Sequence, residues 1–123
     1  MISGVVNARL EATVQLAIHD ATGRPHDVEV IVDTVYNGYL TLPPAQLTAL
    51  GLAPKSQQQV LLADGSLQVI NFYEATVIWD GQPRTVDVDE IDAPPLVGTA
   101  LLRGYELRVK FVVGGPVAIE AIP

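Results

Sequence analysis

The sequence predicts a mostly-β, single-domain protein with one or two short helices, and three observations lead there. Apolar and polar residues alternate with period two through most of the chain, the pattern of half-buried strands. Turn-forming groups such as Asp64-Gly65, Asp80-Gly81 and Gly114-Gly115-Pro116 separate those runs. Only two brief stretches have helix-forming composition, and no βαβ crossover can be drawn through them, which argues against a doubly wound nucleotide fold. The length of 123 residues suits one domain spanning 1–123. A chain of that size buries roughly two-thirds of its unfolded surface.

The elements follow in order. Thr13 to Ile18 alternates, with Val14, Leu16 and Ile18 on one face. Asp20 to Asp27 contains Gly23 and Pro25 and reads as a turn. Val28 to Val32 resumes the alternation, so the two runs predict a hairpin. Leu42-Pro43-Pro44 breaks the strand pattern. Proline is tolerated in a first helical turn, Ala45 to Leu50 are mostly good helix formers, and Gly51 is a natural stop. Val60 to Ala63, Leu67 to Tyr73, Ala75 to Trp79 and Arg84 to Asp89 read as strands, joined by turns at 63–66 and 80–83. Ala93-Pro94-Pro95 is a second break, and Thr99 to Arg103 is a second short helix with Gly104 as its stop. Glu106 to Val113 and Val117 to Ile122 flank the Gly114-Gly115-Pro116 turn as a last hairpin.

Composition excludes several functions. Acidic residues outnumber basic ones 14 to 7, for a net charge of -7, so a phosphate backbone repels the chain and nucleic acid is not an expected partner. Cysteine is absent, which removes disulfides, thiolate metal sites and a cysteine nucleophile. Apolar runs such as Val77 to Trp79 and Phe111 to Val113 fall far short of the ~18 residues a membrane helix needs, and no basic stretch leads into an apolar one at the N-terminus. A cytoplasmic protein without a membrane partner is expected. His19 and His26 are seven apart with Asp20 and Asp27 beside them, a spacing that fits no zinc pattern, so no metal is expected. Ser3, Ser56 and Ser66 lack a nucleophile-elbow context. Asp87, Asp89, Glu90 and Asp92 read as a solvated strand face, and Tyr73 and Trp79 as core or cleft residues.

One carboxylate stands out. Val30-Ile31-Val32 runs into Asp33-Thr34, with Asn37-Gly38 shortly after. By itself an aspartate at a strand end serves equally well as a turn cap. The whole stretch Val32-Asp33-Thr34-Val35-Tyr36-Asn37-Gly38-Tyr39-Leu40-Thr41-Leu42-Pro43, however, resembles the active-site segment of retroviral-type (retropepsin-like) aspartic proteases, especially their small bacterial single-domain relatives. Leu96-Val97-Gly98-Thr99-Ala100-Leu101-Leu102 is similar to the second characteristic loop of that family, with Gly98 65 positions after Asp33. Between them, Ala63-Asp64-Gly65-Ser66 falls where the family places its flap tip. The resemblance covers roughly Leu10 to Ile122.

The resemblance implies a retropepsin-like fold, closed and barrel-like and built to dimerise, that hydrolyses peptide bonds without a cofactor. It implies Asp33 as the catalytic carboxylate and Thr34 as the residue reaching across to the partner. Substrate contacts are implied for Val35, for Ala63, Asp64, Gly65 and Ser66 at the flap tip, and for Leu96, Val97 and Gly98. The chemistry takes two carboxylates and one water, one group ionised and one protonated. This chain has one Asp-Thr pair of the required type, so the site is completed only by a C2 homodimer acting on a polypeptide. Leu61, Leu62, Ile70 and Val97 suggest an apolar cleft. The family has glycine where this chain has Val35, and a β-branched residue adds bulk and resists positive φ. That departure carries a second reading: a catalytically impaired, dimeric peptide-binding or assembly module.

Overall fold

The computed structural model describes residues 1–123. Ten strands and two short helices follow one another as β1 (Ile2–Val6), β2 (Ala12–His19), β3 (Pro25–Val32), β4 (Leu40–Leu42), α1 (Pro44–Ala49), β5 (Ser56–Leu61), β6 (Leu67–Trp79), β7 (Gln82–Glu90), β8 (Leu96–Val97), α2 (Thr99–Leu102), β9 (Tyr105–Val109) and β10 (Pro116–Ala121). They form one sheet in the order β5-β6-β7-β4-β8-β3-β2-β1-β10-β9. The far half of β6 also pairs with β2, Ala17 opposite Ile78 and Ile18 opposite Val77. Strands β6, β7, β4, β8, β3 and β2 therefore join in a ring of pairings, while β5 and β9 keep a free edge. No helix is long and apolar enough to cross a membrane.

The alternation places the core as expected. Val14, Leu16, Ile18, Val28 and Val30 are buried, as are Tyr73, Ala75, Val77 and Trp79 on β6 and Val86 and Val88 on β7. Trp79 meets Tyr105 edge-on, with ring centroids 5.7 Å apart. In α1, Pro44 opens the helix and Leu47 is the residue it buries; α2 buries Leu101 and Leu102.

Several boundaries differ from the sequence expectation. Strand β1 has no counterpart in it, because Gly4 interrupts the alternation. That glycine is a matter of space: a Cβ there would stand 1.9 Å from the Thr13 carbonyl oxygen. Strand β6 runs unbroken through Glu74, which pairs with Asp87 on the exposed face while the buried face continues on either side. Strand β5 starts at Ser56, where three glutamines pair with β6 despite their polarity. Leu96-Val97 is a strand of its own, parallel to β3 and antiparallel to β4. Phe111 to Val113 is not strand. The chain leaves β9 at Val109 and turns through a loop in which the Val112 amide donates to Lys110 O, Gly115 N to Val112 O and Gly114 N to Val6 O. The side chains of Phe111, Val112 and Val113 are exposed.

Candidate active site

The parallel pairing of Val32 with Val97 delivers Asp33 to the point where β3 leaves the sheet. Its amide donates to Val97 O at 2.9 Å. The chain then turns: Tyr36 N donates to Asp33 O at 3.3 Å, and Val35 N donates to Asp33 Oδ1 at 2.9 Å. One oxygen of a half-buried carboxylate is thus held by a backbone amide, and no protein hydrogen bond reaches the other. Leu10 and Asp80 are the only non-glycine residues with positive φ, so Val35 does not sit in the left-handed region. The backbone of this turn accommodates a β-branched residue without positive φ. The Val35 side chain is 87% exposed.

Three amides fasten the second loop beneath this turn. Gly98 N donates to Tyr39 O at 3.1 Å, Thr99 N to Tyr36 O at 2.9 Å, and Ala100 N to Gly38 O at 3.2 Å. Gly98 is needed for space: a Cβ there would lie 2.3 Å from Gly38 O and 2.5 Å from the Tyr36 ring. Leu96 is half-buried, and its amide donates to the Thr41 hydroxyl oxygen at 2.9 Å. Val97 is fully buried in the core, so it supports Asp33 through its carbonyl and not through a cleft-facing side chain.

Tyr36 and Asp89 are partners the sequence did not reveal. The Tyr36 hydroxyl donates to Asp89 Oδ2 and reaches Leu40 O at 3.3 Å. Burial, and then the Asp89 carboxylate, push this phenol well above the usual tyrosine range. Asp87 is exposed, as expected for a solvated face, but Asp89 is half-buried and engaged. The signal for Tyr36 was its place inside the Asp33 segment; nothing local marked Asp89, whose partner lies 53 residues away.

The hairpin β5–β6 carries the flap-like tip. Leu62 N donates to Ser66 O, Gly65 N to Leu62 O, and Asp64 Oδ1 accepts from the Ser66 amide and hydroxyl at 2.9 and 2.6 Å. The Ser66 hydroxyl holds the Asp64 carboxyl below its ordinary value. Ala63 completes the turn, and Gly65 takes φ 85°. Val60, Ile70 and Phe72 are half-buried on one face of the hairpin, whereas Leu61, Leu67 and Val69 are exposed on the other. Leu61 therefore lies on the hairpin face opposite to Phe72. A hollow of about 470 Å³ between Gly38-Tyr39 and the hairpin base mixes Tyr39 and Phe72 with Lys55, Gln58, Asp87 and Asp89, and Asp33 does not line it. The structure brings Asp33, Thr34 and Val35 together with Leu96, Val97 and Gly98. The tip residues 63–66 bond among themselves and stand apart from that group. His26 does not join His19 in a cluster; its Nε2 pairs with Asp20 Oδ2 at 2.7 Å.

No protein-family model and no curated protein sequence matches the chain. Solved structures do. A retropepsin-like aspartic protease from Rickettsia conorii superposes with a TM-score of 0.62 over 98% of this chain and 92% of that one, at 16% sequence identity. The EIAV protease, solved with the inhibitor HBY-793, superposes with a TM-score of 0.50 over 76% of this chain and 86% of that one, at 18% identity. The fold is retropepsin-like. Within this retropepsin-like fold the lone Asp33 stands on a turn open to solvent at Thr34 and Val35, both exposed. Beside it is an apolar hollow of about 350 Å³ bounded by Val32, Leu96, Leu107, Val109, Leu10 and Phe111.

Proposed function

We propose that the chain is an aspartic endopeptidase, active as a homodimer in which two Asp33 carboxylates share one water. The observation that carries the reading is the Asp33 turn itself: a strand-end carboxylate with one oxygen fixed by the Val35 amide and the other free, in a retropepsin-like fold. Two such carboxyls held ~3 Å apart cannot both ionise readily, so they share a proton and titrate as a pair. The ionised member draws a proton from the water, and the protonated member donates a hydrogen bond to the scissile carbonyl. Water attacks the carbonyl carbon, and the proton the base received passes to the leaving nitrogen as the C–N bond breaks. The β5–β6 hairpin closes over an extended peptide and excludes bulk water, with hydrogen bonds to the peptide backbone in the manner of strand addition.

The test is cleavage of an unfolded protein, read by mass spectrometry from mildly acidic to neutral pH, with Asp33→Asn alongside. Cleavage by the native chain and none by the variant is expected. Equal cleavage by both refutes Asp33 as the catalytic group. The exposed Val35 side chain favours a second reading, a dimeric peptide-binding module without hydrolysis. A native chain that is dimeric, binds extended peptides and cuts none of them supports that module instead.

A further inference from the structure

We infer that Tyr36 is a positioning residue for Asp33: the bond from its hydroxyl to Asp89 is a strut that holds the carboxylate-bearing turn against β7. Its effect on catalysis rests on the proposed protease reading; its effect on the turn rests on the geometry alone.

The turn has few ties to the rest of the chain. Thr34 and Val35 are exposed. The Val35 and Tyr36 amides both donate to Asp33 itself, one to Oδ1 and one to the backbone oxygen, so they shape the turn without fixing its place. At its start the Asp33 amide donates to Val97 O at 2.9 Å. At its end the ties run through Tyr36. The Tyr36 carbonyl accepts from Thr99 N at 2.9 Å, and its hydroxyl donates to Asp89 Oδ2 and lies 3.3 Å from Leu40 O.

The chain clears space for this side chain twice. A Cβ on Gly38 would stand 2.2 Å from the Tyr36 hydroxyl oxygen and 2.4 Å from Cζ, and a Cβ on Gly98 would stand 2.5 Å from Cδ2. Neither glycine has a positive φ, so space and not backbone conformation calls for them. The ring is thus confined sideways by two backbones, and only the hydroxyl bonds fix it along its own length. They end on paired strands: Leu40 stands opposite Val88 and Thr41 opposite Asp89 in the parallel β4–β7 pairing, and β7 pairs along its other edge with β6. A hydrogen bond to a carboxylate is also stronger than one between neutral groups. The strut therefore joins the free end of the turn to the rigid part of the sheet.

Placement of the turn decides the chemistry. The proposed site needs two copies of it to present carboxyls ~3 Å apart, and a displacement of ~1 Å costs about 100-fold in rate. In a two-fold site any displacement enters twice, once from each copy. Tyr36 lines neither the hollow at the hairpin base nor the one beside Asp33, so it acts through the turn and not by touching a peptide.

Tyr36→Phe tests this, because it keeps the ring between the two glycines and removes only the strut. Asp89→Leu removes the acceptor, and Asp89→Asn keeps one. In Tyr36→Phe and Asp89→Leu the nuclear magnetic resonance order parameter of the Val35 amide is expected to fall from a rigid value of about 0.85 to below about 0.6. On the same samples kcat for peptide cleavage is expected to drop about 10- to 100-fold with KM unchanged. Asp89→Asn is expected to retain a rigid Val35 and most of kcat. The double variant Tyr36→Phe/Asp89→Leu is expected to lose no more than either single one, since both remove the same bond. Circular dichroism confirms folding, and Tyr36→Phe carries the test if Asp89→Leu does not fold. A Val35 amide as rigid in Tyr36→Phe as in the native chain overturns the inference, even if the urea midpoint falls. So do losses that add in the double variant, or an Asp89→Asn as impaired as Asp89→Leu. A loosened Val35 in a protein whose native form cuts nothing defeats the protease reading and leaves the strut standing. A rigid Val35 and native kcat in Tyr36→Phe, with no cleavage by Asp33→Asn, does the reverse.

Discussion

Replacing Gly98 by alanine is expected to be far more damaging than its chemistry suggests. Gly98 is buried and its φ of -104° is one any residue adopts, so the cost is purely one of space. The new Cβ would stand 2.3 Å from Gly38 O, 2.5 Å from Tyr36 Cδ2 and 2.6 Å from Tyr36 O. Two of those three atoms are backbone, so a rotamer change gives no relief and the Asp33 turn itself has to move. Overpacking alone costs ~1–3 kcal/mol. Displacement of the turn also breaks the Thr99 N–Tyr36 O and Ala100 N–Gly38 O bonds, each worth about 1 kcal/mol net. The sum is a loss of about 3–5 kcal/mol, or roughly 2 M in urea midpoint at a slope typical of a small protein. Equilibrium urea unfolding measures it. Gly65→Ala is the control: nothing lies within 4 Å of its Cβ, and its φ of 85° limits the penalty to backbone strain, about 1–2 kcal/mol. If Gly98→Ala costs no more than Gly65→Ala, the close packing of the two loops does not hold the turn.

Further expectations follow from the same geometry. Val35→Gly should lower stability by only about 0.5–1 kcal/mol, through the extra freedom of the unfolded chain, because the side chain is 87% exposed; it should raise kcat/KM by opening the site, as peptide cleavage kinetics would read. Tyr36→Phe keeps the ring between Gly38 and Gly98 but deprives the half-buried Asp89 of its donor, at a cost of about 1–2 kcal/mol in urea unfolding. The raised phenol value means this bond holds below the ordinary tyrosine range and is lost only as pH climbs through the higher folded value, so the variant should lack the most alkaline step of the ultraviolet tyrosine titration. Asp20 accepts from the Thr22 hydroxyl, His26 and the Arg24 amide, which hold its carboxyl far below the usual range. Its contribution is present above the unfolded carboxyl value of ~3.9 and fades as pH falls toward the folded one. Thermal unfolding of Asp20→Asn should therefore lose part of the acid-side pH dependence of the native chain.

The hairpins β2–β3, β5–β6 and β6–β7 were legible because each joins period-two runs through a local turn. So were the two helices, each with a glycine stop. The nearness of the Asp33 segment to the Leu96-Val97-Gly98 loop could be read from their order and their likeness to a family, whereas the 63–66 tip, read with them, stands apart in the structure. What could not be read depends on distant neighbours. The clash that makes Gly4 a glycine is with Thr13 across a strand pair, and the clash at Gly98 is with Tyr36 and Gly38. Phe111 to Val113 look like strand by composition, but the Gly114–Val6 and Gly115–Val112 bonds curl them into an exposed loop. Whether Val35 suits its turn could not be read either, because backbone angles are not written in residue type; its φ lies outside the left-handed region.

The sequence by itself determined the strand periodicity, the turns and the presence of one strand-end carboxylate, because those depend on residues within a few positions of each other. Only the tertiary structure decided what anchors the turn that carries it. The Val97 carbonyl and the Tyr36–Asp89 bond come from segments more than fifty residues away, and which sheet edge stays open beside Asp33 depends on how all ten strands pair. Pairing across such separations is settled by burial and hydrogen-bond satisfaction summed over the whole sheet, and no local pattern encodes it.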